Sequence, residues 1–373
     1  MNIWLLFFIV LCFLASSDGK QQVLQPASSH HEVPTISVQD ATLGKYAAPR
    51  VDTFDFDIVR SFRRRNDSFT QGLAAVVSTQ GSNVSLFESA GLWGKSHVQV
   101  YSCIGACSSK GDPNSTLAAG CECVVTNRET LLPTFFGEGI AVFPESHFLW
   151  QLSYKSGVFL RHSIHLVAAE GGASQFQIKF IDTIPFPADA FEEGWGLTAR
   201  VIHGPRAARI FYVTDGSEFV YALRVVEEDN LNTTQGPHVH LMQKLEVVDP
   251  HGNRIRRLND IAWDEKRQSL WACVYGSTAL LQISVPFVST TRSEPHFATA
   301  LVTGSVNLQD LAPATNVLGL NVMNGVAVDP ISDTLWVTGK WWDTIYEIRV
   351  DCCHNTAAHA DDVLTFPSRN GFW

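Results

Sequence analysis

One pattern recurs five times along this chain, and it limits the fold more than any other feature. Each copy places a small or polar pair before an apolar strand, then a turn, then a second strand opening on an apolar–aromatic pair. The copies begin Phe69-Thr70-Gln71-Gly72, Gly137-Glu138-Gly139-Ile140, Glu193-Gly194-Trp195-Gly196, Leu258-Asn259-Asp260-Ile261 and Met323-Asn324-Gly325-Val326. Their second strands open on Leu86-Phe87, Leu149-Trp150, Phe211-Tyr212, Leu270-Trp271 and Leu335-Trp336. The anchor positions Gly72, Gly139, Gly196, Asp260 and Gly325 lie 67, 57, 64 and 65 residues apart. Solenoid repeats are shorter, about 20 to 45 residues. A unit of this length holds four strands, which is one propeller blade. Alternating runs such as Thr344–Val350 supply third strands, and Gln177–Ile181 supplies an outer one. Turn chemistry stands between strands at Asp249-Pro250-His251-Gly252 and Asp329-Pro330-Ile331-Ser332-Asp333. The segment Phe54–Arg60 precedes the first anchor and can supply the outer strand that the last blade lacks, which removes an edge and ties the ring shut. The expected fold is therefore all-β, a five-bladed β-propeller over residues 54–350 closed by an N-terminal strand joining the last blade.

Apolar content of 45% allows a sizeable core, and 17% charged residues excludes global disorder. A net charge of −10 argues against a nucleic-acid binder. Arg60, Arg63, Arg64 and Arg65 form one basic cluster, read as a solvated strand end. Ahead of the ring, Trp4 to Ala15 is one apolar run followed by Ser16-Ser17 and Asp18-Gly19, the pattern of a signal peptide over residues 1–19. The run is shorter than the ~20 apolar residues that span a bilayer. Residues 20–53 read as a loosely ordered segment and 351–373 as a C-terminal tail. Sequons at Asn66, Asn83, Asn114 and Asn232 suit a secretory route. The expectation is a secreted, monomeric glycoprotein without a stable membrane span. In that setting Cys103, Cys107, Cys121 and Cys123 read as a disulfide-stapled insertion over 103–123 rather than a zinc site, because Cys-x-Cys is not the usual knuckle spacing. Cys352 and Cys353 could bridge each other only in strained geometry. The odd number of cysteines after the leader leaves a thiol over, for which Cys273 is the candidate.

In a propeller the innermost strands all start at one end of the central channel, so equivalent repeat positions converge there. Just before the anchors stand Gln71, Glu138, Trp195, Asn259 and Asn324. Convergent polar groups beside an aromatic wall suit a small-molecule site; the competing reading is that they brace loop backbones. Two titratable residues, Glu88 and Lys340, come from second strands. The tight apolar flank Ser89–Gly94 predicts a partly buried Glu88 whose raised pKa suits an acid or base. His238 and His240 fall on one strand face and read as surface histidines.

The stretches Phe69–Leu73, Leu86–Gly94, Phe136–Gly139, Glu193–Thr198, Asp215–Ser217, Leu258–Asp260 and Val337–Trp342 resemble, in order, the signature of the plant and bacterial glutaminyl cyclases (glutamine cyclotransferases). The resemblance covers roughly residues 54–350. It implies an enzyme that closes the N-terminal glutamine of peptides or proteins into pyroglutamate and releases ammonia, with no cofactor and no metal. Carried over by position, Glu88, Asn259 and Lys340 match catalytic residues. Glu88 would carry the proton, and Lys340 and Asn259 would hold the amide oxygen. Phe69, Gln71 and Trp195 match pocket positions, and Glu138 matches a glutamate of the family motif. Together with Asn324 these are the expected substrate-binding residues. The sequence departs from the family at Ala90, Trp93, Tyr154 and Cys273 and in the cysteine-bearing insertion. Two other readings stand beside it. One is a non-catalytic secreted propeller that binds peptides or glycans. The other is a calcium-dependent lactonase-like propeller, for which Glu138, Asn259 and Asn324 are candidate ligands, but whose usual six blades and whose cation, set beside Lys340, fit less well.

Overall fold

Twenty strands and no α-helix form among the described residues of this computed structural model, which are 51–65, 67–77, 84–104, 121–168, 174–203, 208–226, 236–286, 295–313 and 322–351. The apolar leader, all four sequons, Cys107 and Cys352-Cys353 lie outside the described residues. The strands fall into antiparallel groups of four. The first blade is β2 (Thr70–Val77), β3 (Val84–Ala90), β4 (His97–Ile104) and β5 (Glu122–Thr130). The second is β6 (Gly137–Phe143), β7 (Phe148–Ser153), β8 (Val158–Ala168) and β9 (Ser174–Pro185). The third is β10 (Leu197–Ile202), β11 (Ala208–Thr214), β12 (Phe219–Val226) and β13 (His238–Val248). The fourth is β14 (Leu258–Asp264), β15 (Ser269–Val274), β16 (Ala279–Ser284) and β17 (His296–Asn307). In the fifth, β18 (Met323–Asp329), β19 (Thr334–Gly339) and β20 (Thr344–Asp351) are completed by β1 (Asp52–Arg63), which runs antiparallel to β20 from Asp55 opposite Asp351 to Arg63 opposite Thr344. This is the predicted five-bladed propeller with its predicted closure.

The repeated apolar–aromatic pair explains why five sheets make a ring. Alternation sends its two residues to opposite faces of a blade, and each meets the pair of a different neighbour. Leu86 shares a buried cluster with Trp336, Phe87 with Leu149, Trp150 with Phe211, Tyr212 with Leu270, and Trp271 with Leu335. These five clusters are the five blade interfaces. Each buried aromatic there contributes on the order of 2–3 kcal/mol. The inner strands touch in the same cycle, β2 to β6, β10, β14, β18 and back to β2.

At the axis the backbones come too close for most side chains. A Cβ on Gly139 would lie 2.3 Å from the Leu197 nitrogen, and one on Gly196 would lie 2.0 Å from the Asn259 oxygen. The fourth anchor is Asp260, fully buried, whose Oδ2 accepts hydrogen bonds from the backbone N–H of Leu73 (3.1 Å) and Val326 (2.8 Å) in two other blades. One carboxyl thus ties three inner strands.

The cysteine insertion is stapled as expected: Cys103 and Cys123 face each other across β4 and β5 and form a disulfide, and Cys121 is disulfide-bonded too. Cys273 is free and buried in β15. His238 and His240 sit on the outer strand β13, and no group of three metal-ligating side chains occurs among the described residues. Among the described residues no helix is long and apolar enough to cross a membrane. The basic cluster is split. Arg63 and Arg65 are exposed, as a solvated strand end predicts, whereas Arg64 is buried and Arg60 bonds to the buried Glu347. Alternation along the closing strand turns these side chains to different surroundings.

Candidate active site

Loops entering the inner strands and turns leaving the second strands all open on one end of a propeller. There, β-bulges interrupt the inner ladders between Thr70 and Gly72, Gly137 and Ile140, Leu258 and Ile261, and Met323 and Val326. Bulges release side chains from the ladder and re-aim them. The released residues include Gln71, Glu138, Asn259 and Asn324, four members of the predicted ring. The fifth, Trp195, precedes β10 and donates its backbone N–H to the Thr214 oxygen at 2.9 Å.

Part of the ring is engaged within itself. Gln71 Nε2 donates to Glu138 Oε1 at 3.0 Å, and Asn324 Nδ2 donates to Gln71 Oε1 at 3.0 Å. Asn324 is fully buried, and its Oδ1 accepts from the Asp260 N–H at 3.3 Å. Asn324 therefore braces Gln71, and Gln71 orients the Glu138 carboxyl. Asn259 differs: its buried Oδ1 has no hydrogen-bond partner. Glu138 is 5% exposed, and burial raises its pKa well above the usual carboxylate value, with Glu193 and Asp260 adding to the rise against Lys340. Lys340, equally buried, is pushed down to about 8 by desolvation, against the pull of Glu138 and Cys273. Its Nζ lies 4.6 Å from the centroid of the Phe69 ring and 5.2 Å from that of Tyr275.

Aromatic pairs stand around these groups on the same end. Phe69 meets Trp341, Trp195 meets Tyr275, and Phe136 meets both Trp93 and Tyr154. Trp195 Nε1 donates to Glu193, which pairs with Lys155 at 3.1 Å. Tyr154, one of the departures from the family pattern, is therefore part of this wall. A buried carboxyl of raised pKa, an ammonium of lowered pKa and an unpaired amide oxygen, walled by rings, can move a proton, polarise a carbonyl and hold an N–H.

Glu88 does not fit the expectation for it. It is fully buried, and both oxygens are taken. Oε1 accepts from Arg64 Nη1 and Thr70 Oγ1, each at 2.5 Å, and Oε2 from Gln99 Nε2 and Tyr101 OH, each at 2.6 Å. Burial alone would raise its pKa, but Arg64 and these donors pull it to about 2. The prediction of a raised pKa is corrected: Glu88 is a permanent carboxylate inside the blade. Gln99 and Tyr101 were not singled out in the sequence, and Arg64 was read only as part of a solvated basic cluster. A signal for two of them existed, since Gln99 and Tyr101 alternate on β4, and Gln99 is the register partner of Glu88.

Residues 32–350 match the family model for glutamine cyclotransferase. The glutaminyl-peptide cyclotransferase of Arabidopsis thaliana is 25% identical over 299 residues, which cover 79% of this chain and 71% of that protein. The crystal structure of Myxococcus xanthus glutaminyl cyclase is similar with a TM-score of 0.53 at 20% identity, over 81% of this chain and 99% of that one, a likeness of fold. With a family model matched over most of its length, this chain belongs to the glutamine cyclotransferase family of enzymes.

Proposed function

We propose that this chain is a glutaminyl-peptide cyclotransferase: it closes the N-terminal glutamine of peptides or proteins into pyroglutamate and releases ammonia. The observation that carries this reading is the opposition of Glu138 and Lys340 in a buried, aromatic-walled end of the propeller channel. Cyclisation needs an uncharged α-amine, available near neutral pH because a free α-amino group has a pKa of about 8. The amine nitrogen bonds to the side-chain amide carbon, and the carbonyl electron pair moves onto oxygen. Glu138, as carboxylate, takes the proton that the attacking nitrogen must lose. As carboxylic acid it returns that proton to the amide nitrogen, which leaves as ammonia when the carbonyl re-forms. The Lys340 ammonium donates to the developing oxyanion, worth roughly 3 kcal/mol for one well-placed donor. Asn259 presents an acceptor, so it holds an N–H of the substrate rather than the oxyanion. Phe69 and Trp195 wall the folded-back glutamine, a proximity effect.

The proton carrier is thus Glu138 and not Glu88, whose depressed pKa and four donors leave it neither proton affinity nor a free lone pair for the task. A secretory location suits the Cys103–Cys123 disulfide, since such bonds persist in oxidising compartments. The test is ammonia release from a Gln-initiated peptide by the full chain, with and without chelator. Release that survives chelation is expected. No release at all would return the chain to a binding role, and release lost on chelation and restored by metal would point to a metal-dependent propeller.

A further inference from the structure

The Arg64–Glu88 pair is sealed from solvent; Arg64 also donates through Nη2 to Thr70 Oγ1 at 2.9 Å and to three backbone oxygens of the turn that carries Lys340. Arg64 Nη2 donates to the Gly339 oxygen at 2.8 Å and Nε to the Trp342 oxygen at 2.9 Å, while its backbone N–H donates to the Asp343 oxygen at 2.8 Å. Between these contacts Trp341 adopts φ 60°, a left-handed conformation that a tryptophan rarely takes, and donates its N–H to the Ser68 oxygen at 3.0 Å. Its ring rests on Phe69, the ring beneath the Lys340 ammonium. The chain on both sides of Lys340 is therefore gripped from residues 64–69, and Glu88 fixes the guanidinium that does most of the gripping. A guanidinium holds five donors in a fixed planar fork, whereas an ammonium has three at a single point and cannot reach the same spread of acceptors.

We propose that Arg64 and Glu88 are positioning residues: a buried ion pair that holds the 340–343 turn in its strained form and so aims Lys340 into the reaction site. The inference rests on the cyclase reading for its kinetic consequence, but the placement of Lys340 can be measured without it. Removing either charge alone leaves the other buried and unpaired, which destabilises the fold and confuses the two roles. Replacing both by apolar groups of similar size, Arg64→Met with Glu88→Leu, removes the unpaired charge and takes the Arg64 donors away from the Gly339 and Trp342 oxygens, Gly339 keeping the Trp342 N–H and Thr70 Oγ1. Arg64→Lys retains a charge beside Glu88 but not the fork.

Four full-length proteins are compared: wild type, Arg64→Lys, Arg64→Met, and the double variant. The double variant is expected to melt above Arg64→Met yet to keep a kcat 10- to 100-fold below wild type per folded molecule, with KM changed less than threefold; a misplacement of about 1 Å costs on this scale. Arg64→Lys is expected to melt above Arg64→Met with a similarly reduced kcat. Independently of turnover, the pH midpoint for acetylation of Lys340, read by mass spectrometry, is expected near 8 in wild type and is expected to move toward the ordinary lysine value in the double variant. Lys340 is faced by Glu138 from β6, Cys273 from β15 and the rings of Phe69 and Tyr275, none of which is altered. A double variant with wild-type kcat and an unmoved Lys340 midpoint would overturn the proposal and leave the pair a stability element only. If wild type releases no ammonia while the midpoint still moves, the cyclase reading fails and the positioning role stands.

Discussion

Glu88 and Glu138 are both buried, and exchanging each for glutamine should give opposite results. In Glu88→Gln the shape is kept, but the Arg64 guanidinium, with no exposed side-chain surface, loses its countercharge. Leaving such a charge unpaired costs about 3–5 kcal/mol. A ring of roughly 300 residues unfolds with an entropy near 0.6 kcal/mol/K, so the melting temperature should drop by about 5–8 °C. In Glu138→Gln the carboxyl removed is one whose ionised form burial disfavours. A neutral amide can still accept from Gln71 and brings no buried charge to desolvate, so melting should stay level or rise. Turnover should behave in reverse. Glu138→Gln loses the proton carrier and about 10²- to 10⁴-fold in kcat, whereas Glu88→Gln loses no group that touches substrate and falls only as far as the Lys340 turn loosens. Thermal melts followed by tryptophan fluorescence and a coupled ammonia assay on the same preparations read both. Glu88→Gln melting within a degree of wild type while inactive, together with an active Glu138→Gln, would refute the reasoning and return the proton to Glu88.

Stability should depend on acid through Glu88: its folded pKa of about 2 lies below the ordinary 4.5, so its contribution of about 3 kcal/mol is complete above pH 4.5 and fades as pH falls toward 2, visible in urea melts across that range. The profile of kcat/KM should be a bell. Its acid limb combines Glu138, displaced upward from the carboxylate range, with the substrate α-amine, which must be uncharged, and its alkaline limb is expected near 8, where Lys340 loses its proton; Lys340→Met should lower the rate and abolish the alkaline limb. Gly196→Ala should yield little folded protein, since the added methyl meets the Asn259 backbone oxygen at 2.0 Å with no flexible side chain to yield; soluble expression at wild-type level would contradict that packing. Trp271→Ala, at the interface between the fourth and fifth blades, should cost about 3–5 kcal/mol in denaturant unfolding and leave any residual kcat of the folded fraction unchanged.

The ring was legible because its physics repeats. One apolar–aromatic pair per unit is enough to bond each sheet to both neighbours, and Leu86-Phe87 through Leu335-Trp336 stand at regular intervals in the chain. Closure was legible for a related reason. A strand-like segment ahead of the first unit and a last unit one strand short have only each other to pair with, and β1 does pair with β20. What could not be read is which residues at the axis bond to one another. Gln71 and Asn324 look like binding groups in sequence, and the structure uses them to hold Glu138. The carboxyl of Asp260, one position past the ring, replaces a glycine and joins three blades.

The two glutamates show where residue type ceases to inform. Both follow or interrupt an apolar run, both belong to motifs of the same family, and both end up buried. Burial alone would raise the pKa of each. The difference is made by a residue far from either motif's logic: Arg64, at the end of the strand that closes the ring. Placed beside Glu88, it converts a costly carboxylate into half of an ion pair. Glu138 has no guanidinium partner: it accepts from the Gln71 amide and faces an ammonium whose own pKa is lowered. Environments that push two carboxyls in opposite directions assign their tasks. On the proposed reading, the charge that Glu88 keeps until pH falls toward 2 belongs to the scaffold, and the carboxyl of raised pKa is the one available to trade a proton. Because the distinction depends on ring closure bringing Arg64 to Glu88, it exists only once the fifth blade has taken its outer strand from the start of the chain.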